Sequence, residues 1–339
     1  MDRDGNVDDQ AESSSALVSE ETQERIEQVL LGGQRRYTRA EVAEMSGVPL
    51  TRAQSRWRAL GFAGVAGDDA VFTDADVEAA AISERLVESG LISIDMDASV
   101  TRALGHHLSR LAEWQSDLVW EVLARRPDIA QDESQVVQII EAAVPALERV
   151  QNYVWRRHLA AFACRALATS DEAMASRKQA VGFVDMVGYT RLTRQLDESG
   201  LSAVLEKFEA LAGSVIAERH GRIVKMIGDE VLFVADTASD AAEIALVLNG
   251  RAEEDDDIPE LRTGLAYGHV LNRLGDVYGP VVNIAARLTS TARPGTILLD
   301  HEFATQFGDS AGYEFRSLRP VSVRGYSKLR RFVLRRESR

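Results

Sequence analysis

At Ala180 the apolar residues of this chain stop recurring at helical spacing and begin to run in short blocks, and that change of period divides the sequence. Before it lie VTRALGHHLSRLAEWQSDLVWEVLARR and ESQVVQIIEAAVPALERVQNYVWRRHLAAFACRALATS, both patterned as long helices. Pro127 separates the two, and Pro145 sits inside the second, where it is expected to kink it. After the change come AVGFVDMV, RIVKMIGDEVLFVA and GTILLD, apolar runs of strand length. Amphipathic helices separate them: LSAVLEKFEALAGSVIAERHG, SDAAEIALVLNGRAEE and PVVNIAARLTSTAR, the last with Pro280 near its first turn. LRTGLAYGHVLNRL reads as a strand running into a loop.

The order after Ala180 is β-α-β-β-α-β, the ferredoxin-like arrangement, with further elements beyond it. The expected fold class is α+β: a C-terminal ferredoxin-like (βαββαβ) domain preceded by an all-α domain. The expected divisions are a disordered, acidic N-terminus over 1–18, a helical domain and connector over 19–175, and the α+β domain over 176–339. At 339 residues the chain is too long for one ordinary core.

The helical domain carries a short pattern of its own. In YTRAEVAEMSGVPLTRAQSRWRALGF, Thr38 and Glu41 form a capping box, Gly47 makes a turn, and Thr51 opens a second helix bearing Arg52, Arg56 and Arg58. Another capped helix begins at Thr73. This segment resembles a MerR-type winged helix-turn-helix. In the long helices, Trp114, Trp120 and Trp155 fall among the apolar positions of one face, which reads as a bundle core, a dimer surface or a ligand pocket.

Composition narrows the class. A net charge of −14 argues against broad binding of nucleic acid or anionic membrane. No run reaches the roughly 18 to 20 apolar residues of a membrane span. The first residues lack the pattern of a signal peptide, and the one cysteine, Cys164, excludes an internal disulfide framework, so a cytoplasmic address is expected. The C-terminal RGYSKLRRFVLRRESR is strongly basic, either a solvated edge or a source of positive field near a polyphosphate.

Two aspartates stand at the ends of apolar strands: Asp185 closes AVGFVD, and Asp229 sits in the turn between IVKMI and VLFVA. Adjacent strands bring such ends together, and paired carboxylates suit hard divalent ions. Taken alone, a turn aspartate and a capping aspartate explain them as well. Lys225 adds a charge to an otherwise apolar strand and needs a partner, which Asp276 can supply from another chain. Asn283 and Arg287 lie four apart on one helix face, where an amide and a guanidinium can flank a phosphate; a structural salt bridge is the alternative for Arg287.

FVDMVGYT, KMIGDE and GDVYGPVVNIAARL, in this order and spacing, resemble the class III adenylyl cyclase catalytic domain over about Arg177 to Arg336. The resemblance implies that Asp185 and Asp229 bind two divalent cations, Mg²⁺ or Mn²⁺. It implies that Lys225 and Asp276 recognise adenine, and that Asn283 and Arg287 stabilise the transition state. Phe183, Met186, Val187, Gly188, Tyr189 and Thr190 fall on the phosphate-facing loop of the first motif. Lysine donates to adenine N1 and a carboxylate accepts from the 6-amino group, whereas guanine reverses that pattern, so the implied substrate is ATP. The family builds its sites between two catalytic domains, and this chain holds both residue sets. A homodimer with two equivalent sites is therefore implied.

One position departs from the family. Tyr326 stands where many members place a phosphate-binding lysine, with Lys328 or Arg324 as candidate substitutes. Some soluble bacterial members resemble this layout, with a helical N-terminal domain that restrains or licenses the catalytic dimer. The expected signal is a proton, with His106 and His107 as candidate sensors, or a small apolar ligand among the helices. The rival expectation is a DNA-binding regulator with a degenerate cyclase domain, favoured by Arg52, Arg56 and Arg58 and opposed by the filled catalytic motifs. A diguanylate cyclase is excluded by its missing Gly-Gly-Asp-Glu-Phe hairpin: the chain reads Ile227-Gly228-Asp229-Glu230-Val231.

Overall fold

The computed structural model describes residues 18–62, 69–167, 178–307 and 312–337. The expected disorder of 1–18 thus falls almost wholly outside the described residues. The chain divides into two compact units, 1–163 and 164–339.

The first unit is helical: α1 (Glu20–Leu30), α2 (Arg39–Ser46), α3 (Leu50–Leu60), α4 (Asp74–Glu88), α5 (Ile94–Arg125), α6 (Pro127–Ala130) and α7 (Glu133–Leu167). The expected capping box of Thr38 with Glu41 forms, and the capped helix expected at Thr73 opens with a box of its own, closed by Asp76. α2 and α3 pack through Ala43, Val48 and Ala53, with Trp57 against them and stacked on Phe72 at 4.6 Å. Arg52 and Arg56 do not project as free cations. Arg52 pairs with Glu84. Arg56 is buried between Glu84 at 2.9 Å and Asp97 at 3.0 Å, tying α3 to α4 and α5.

The long helices correct one expectation. Trp114, Trp120 and Trp155 are 52%, 48% and 59% exposed, so they form no bundle core within one chain. Leu123, Val136 and Val137, at the α5–α7 junction, are buried. Farther along, the described residues of the first unit leave about half of each of those tryptophans uncovered. His106 and His107 are both exposed on α5, their rings 5.7 Å apart. Pro145 lies inside α7, and the helix is continuous through it.

In the second unit the order is β1 (Lys178–Met186), α8 (Tyr189–Gln195), α9 (Glu198–Glu218), β2 (Gly221–Ile227), β3 (Glu230–Ala235), α10 (Ala238–Glu253), β4 (Leu261–His269), β5 (Leu271–Arg273), β6 (Asp276–Tyr278), α11 (Pro280–Thr291), β7 (Ile297–Asp300), α12 (His301–Ala304), β8 (Tyr313–Val323) and β9 (Tyr326–Arg336). One sheet runs β2-β3-β1-β4-β7-β9-β8. Its first four strands are antiparallel and in the order of a βαββαβ unit, as expected. The segment after β4, expected as a loop, is instead a two-stranded hairpin, β5–β6.

Two cores lie on the two faces. Phe208, Ala212, Val215 and Ile216 of α9, with Ile244 and Leu248 of α10, cover one face. Val281 and Ala285 of α11 and Val277 of β6 close over Val181, Phe183 and Leu232 on the other. Gly264 of β4 lets α11 lie this close, because a Cβ there would stand 2.3 Å from the Ala285 carbonyl oxygen and 2.4 Å from the Thr289 nitrogen. Among the described residues no helix is long and apolar enough to cross a membrane.

Candidate functional site

Asp185 is the penultimate residue of β1, opposite Glu230 of β3 and Arg262 of β4. Its side chain follows Phe183 onto the α11 face by strand alternation. The residue is 8% exposed, and Arg262 Nε donates to its Oδ2 at 2.5 Å. Asp229 sits in the β2–β3 turn. That turn is fastened to β1 by the Met186 N–H, which donates to the Asp229 carbonyl at 3.0 Å.

The electrostatics follow from this crowding. Burial raises the Asp185 carboxyl above its ordinary range, Arg262 opposes that rise, and Asp229 adds to it. Glu230 is pushed up to about 7, by burial first and then by the charges of Asp185 and Asp229. Among the described residues no three acidic, histidine or cysteine side chains converge on one metal position. Two carboxylates short of positive charge are nonetheless a fitting donor set for a divalent ion that takes its remaining oxygens from water and substrate phosphates.

Lys225 lies in β2 just past a bulge between Ile223 and Lys225. Its ammonium donates to Asp276 Oδ2 at 2.7 Å. The pair forms within one chain, which corrects the expectation of a partner from another chain. The β5–β6 hairpin makes this happen by lifting Asp276 to β2. Burial would raise the Asp276 carboxyl, but the bonds from Lys225 and the Val277 N–H outweigh it and hold the carboxyl below its usual range. Donor and acceptor therefore stand side by side.

Asn283 is exposed on α11, and Arg287 is half-buried one turn on. The helix is seated by Val281, Ala285, Leu288 and Thr289, so Asn283 and Arg287 lie off the buried stripe. The Arg287 guanidinium makes no ion pair among the described residues, so the salt-bridge alternative finds no support there. No hydrogen bond or ion pair among the described residues joins the aspartate pair to Lys225, Asp276, Asn283 or Arg287.

The first-motif residues separate. Val187 and Gly188 form the turn and Tyr189 and Thr190 begin α8, with Gly188 at φ 82°. Phe183 and Met186 are not on that loop: they lie in β1 with buried side chains, in the cores of opposite sheet faces. Their apolar bulk in a strand buried on both faces decides this. Tyr326 opens β9, and its hydroxyl reaches the Pro280 carbonyl at 3.3 Å.

Arg262 was not singled out from the sequence. The available signal was a lone cation in the strand LRTGLAYG, but only the register of β4 against β1 assigns it to Asp185.

A family model for the adenylate and guanylate cyclase catalytic domain matches residues 172–336. A model for the adenylate cyclase regulatory domain matches residues 21–161. An adenylate cyclase of Streptomyces coelicolor is 44% identical over 308 residues, covering 90% of this chain and 81% of the relative. One from Streptomyces griseus is 43% identical, covering 83% of this chain and 71% of the relative. One from Glutamicibacter nicotianae is 35% identical, covering 91% and 81%.

Proposed function

The chain belongs to the adenylate cyclase family, and from that premise we propose that it converts ATP into 3′,5′-cyclic AMP and pyrophosphate. The observation that carries the choice of base is the Lys225–Asp276 pair at 2.7 Å, a donor beside an acceptor. Adenine presents the complementary acceptor and donor at N1 and the 6-amino group, and guanine presents them reversed.

Catalytic domains of this family use divalent metal ions. We assign two, Mg²⁺ or Mn²⁺, to Asp185 and Asp229; when bound, such ions favour ionisation of the ribose 3′-hydroxyl and draw charge from the triphosphate. Asn283 orients the ribose, so that its 3′-oxygen faces the α-phosphorus in line with the departing pyrophosphate. Arg287, whose guanidinium pairs with no carboxylate among the described residues, offsets the charge that grows on the phosphoryl oxygens. The segment from Val187 to Thr190, the turn and the start of α8, faces the phosphates.

The complete site is assigned to a homodimer, one chain giving Asp185 and Asp229 and its partner giving Lys225, Asp276, Asn283 and Arg287. Supporting this, the chain carries both residue sets, and the family builds its sites between two catalytic domains. We place the functional division near residue 176, with the helical part regulating a cytoplasmic catalytic part. The signal belongs to the same proposal: a proton at His106 and His107, or a small apolar ligand against the exposed Trp114, Trp120 and Trp155. A MerR-like DNA-reading role for α2 and α3 is disfavoured, since Arg52 and Arg56 are engaged by carboxylates of their own chain.

The test is a Mn²⁺-dependent assay of the full chain on ATP and on GTP, with Asp185→Ala as control. Cyclic AMP from ATP, little product from GTP and none from the variant are expected. Equal use of both nucleotides would remove the assignment of the Lys225–Asp276 pair.

A further inference from the structure

Tyr326 occupies the position where many relatives are expected to carry a phosphate-binding lysine, yet its hydroxyl is engaged elsewhere. It donates to the carbonyl oxygen of Pro280 at 3.3 Å. Pro280 is the first residue of α11, three before Asn283.

The main chain holds this first turn loosely. The Asn283 N–H reaches the Gly279 carbonyl at only 3.5 Å, the far limit of a hydrogen bond. Gly279 has φ 135°, a backbone conformation nearly reserved for glycine, and no side chain caps the helix. Pro280 brings no N–H. The Tyr326 ring is partly buried, packed against the cluster of Leu288, Leu298, Leu329 and Val333. A phenol packed on β9 therefore ties the helix end that carries Asn283 to the sheet.

We propose that Tyr326 is a positioning residue for cyclisation: through the Pro280 carbonyl it fixes the first turn of α11, and with it the angle of the Asn283 amide. The inference rests on the role given to Asn283 above. A phenol has one proton to donate, and here Pro280 takes it. Tyr326 thus governs turnover rather than hold on the phosphates, because a misoriented ribose raises the barrier without loosening the triphosphate.

Tyr326→Phe keeps the packed ring and removes only the hydroxyl. In the full-length protein, kcat and KM for ATP and inhibition by pyrophosphate are measured for this variant, for Asn283→Ala and for the double variant. Tyr326→Phe is expected to lower kcat about fivefold, the worth of one neutral hydrogen bond. KM and pyrophosphate inhibition should not move. On the Asn283→Ala background the fall should shrink to less than about twofold, as coupled residues require.

Weakened pyrophosphate inhibition with kcat retained would make Tyr326 a phosphate ligand and overturn the inference. An unchanged kcat, or an equal fall on both backgrounds, overturns it as well. If Asn283→Ala alone keeps full turnover, the role of Asn283 is wrong and the inference falls with it, whatever Tyr326→Phe does.

Discussion

Arg262 of β4 donates to Asp185 of β1 across a register pair, 2.5 Å apart, at the end of the strand where the metal ions are assigned. The guanidinium lowers the cost of ionising a carboxylate that burial and Asp229 both make harder to ionise. Arg262→Met keeps the aliphatic stem and removes that charge. Asp185 should then hold its proton to higher pH, and metal binding needs it ionised. The acidic limb of a kcat/KM profile against pH should move upward. A limb that stays in place or moves downward would dissociate Arg262 from the ionisation of Asp185.

Lys225 and Asp276 are assigned to one purine edge. Lys225→Met removes the donor and leaves Asp276 without its cation. We expect kcat/KM for ATP to fall roughly a hundredfold, as for the loss of one hydrogen bond from a charged donor. The preference for ATP over GTP should narrow at the same time. A uniform loss on both nucleotides would place Lys225 in the scaffold rather than at the base.

Asp300 closes β7 and caps α12, its Oδ1 accepting from the Phe303 N–H at 2.8 Å and the Tyr267 N–H at 3.4 Å. Burial pushes it up to about 7, against an ordinary value of 3.8, although the two N–H bonds oppose the rise. Between those values the folded chain binds a proton that the unfolded chain has lost. Stability contributed here therefore falls as pH rises from about 4 to 7 and is level above. Asp300→Asn keeps the acceptor and cannot ionise. It should flatten that slope and stabilise the protein at pH 8 by on the order of 2–4 kcal/mol, as read by denaturant titration at several pH values. An unaltered slope would show that Asp300 ionises in the fold as easily as in water.

Arg56 links α3 to Glu84 of α4 and Asp97 of α5 while only 7% exposed. Arg56→Ala leaves the half-buried Asp97 without its cation and the buried Glu84 with Arg52 alone, and should cost on the order of 3 kcal/mol of stability. Denaturation of the variant measures it. A cost near zero would mean that the arginine is solvated and available to an external anion.

Much of this was legible in the sequence. The strand runs around Asp185 and Asp229 and the helix carrying Asn283 and Arg287 declare themselves by period and turn residues, the capping box forms at Thr38 and Glu41 as expected, and a capped helix opens at Thr73. What escaped depends on register or on tertiary contact. β5 and β6 have three residues each, too short for alternation to register. Arg262 meets Asp185 through strand pairing, and Arg52 and Arg56 meet Glu84 across helices, so none of these partners follows from local spacing. Phe183 and Met186 were placed on a loop by motif, whereas burial on both sides of β1 draws their side chains into the two cores.

The sharing of each site between two chains is tested most directly by mixing. Alone, Asp185→Ala chains are expected to be inactive and Asn283→Ala chains to retain only a small, still measurable fraction of turnover. In a mixed dimer one site combines the intact half of each chain, and the other site carries both defects. Random equimolar mixing makes half the dimers mixed, so cyclic AMP synthesis should return to about a quarter of the wild-type specific activity. No recovery, with mixed dimers demonstrated in the same sample, would contradict a site built from two chains.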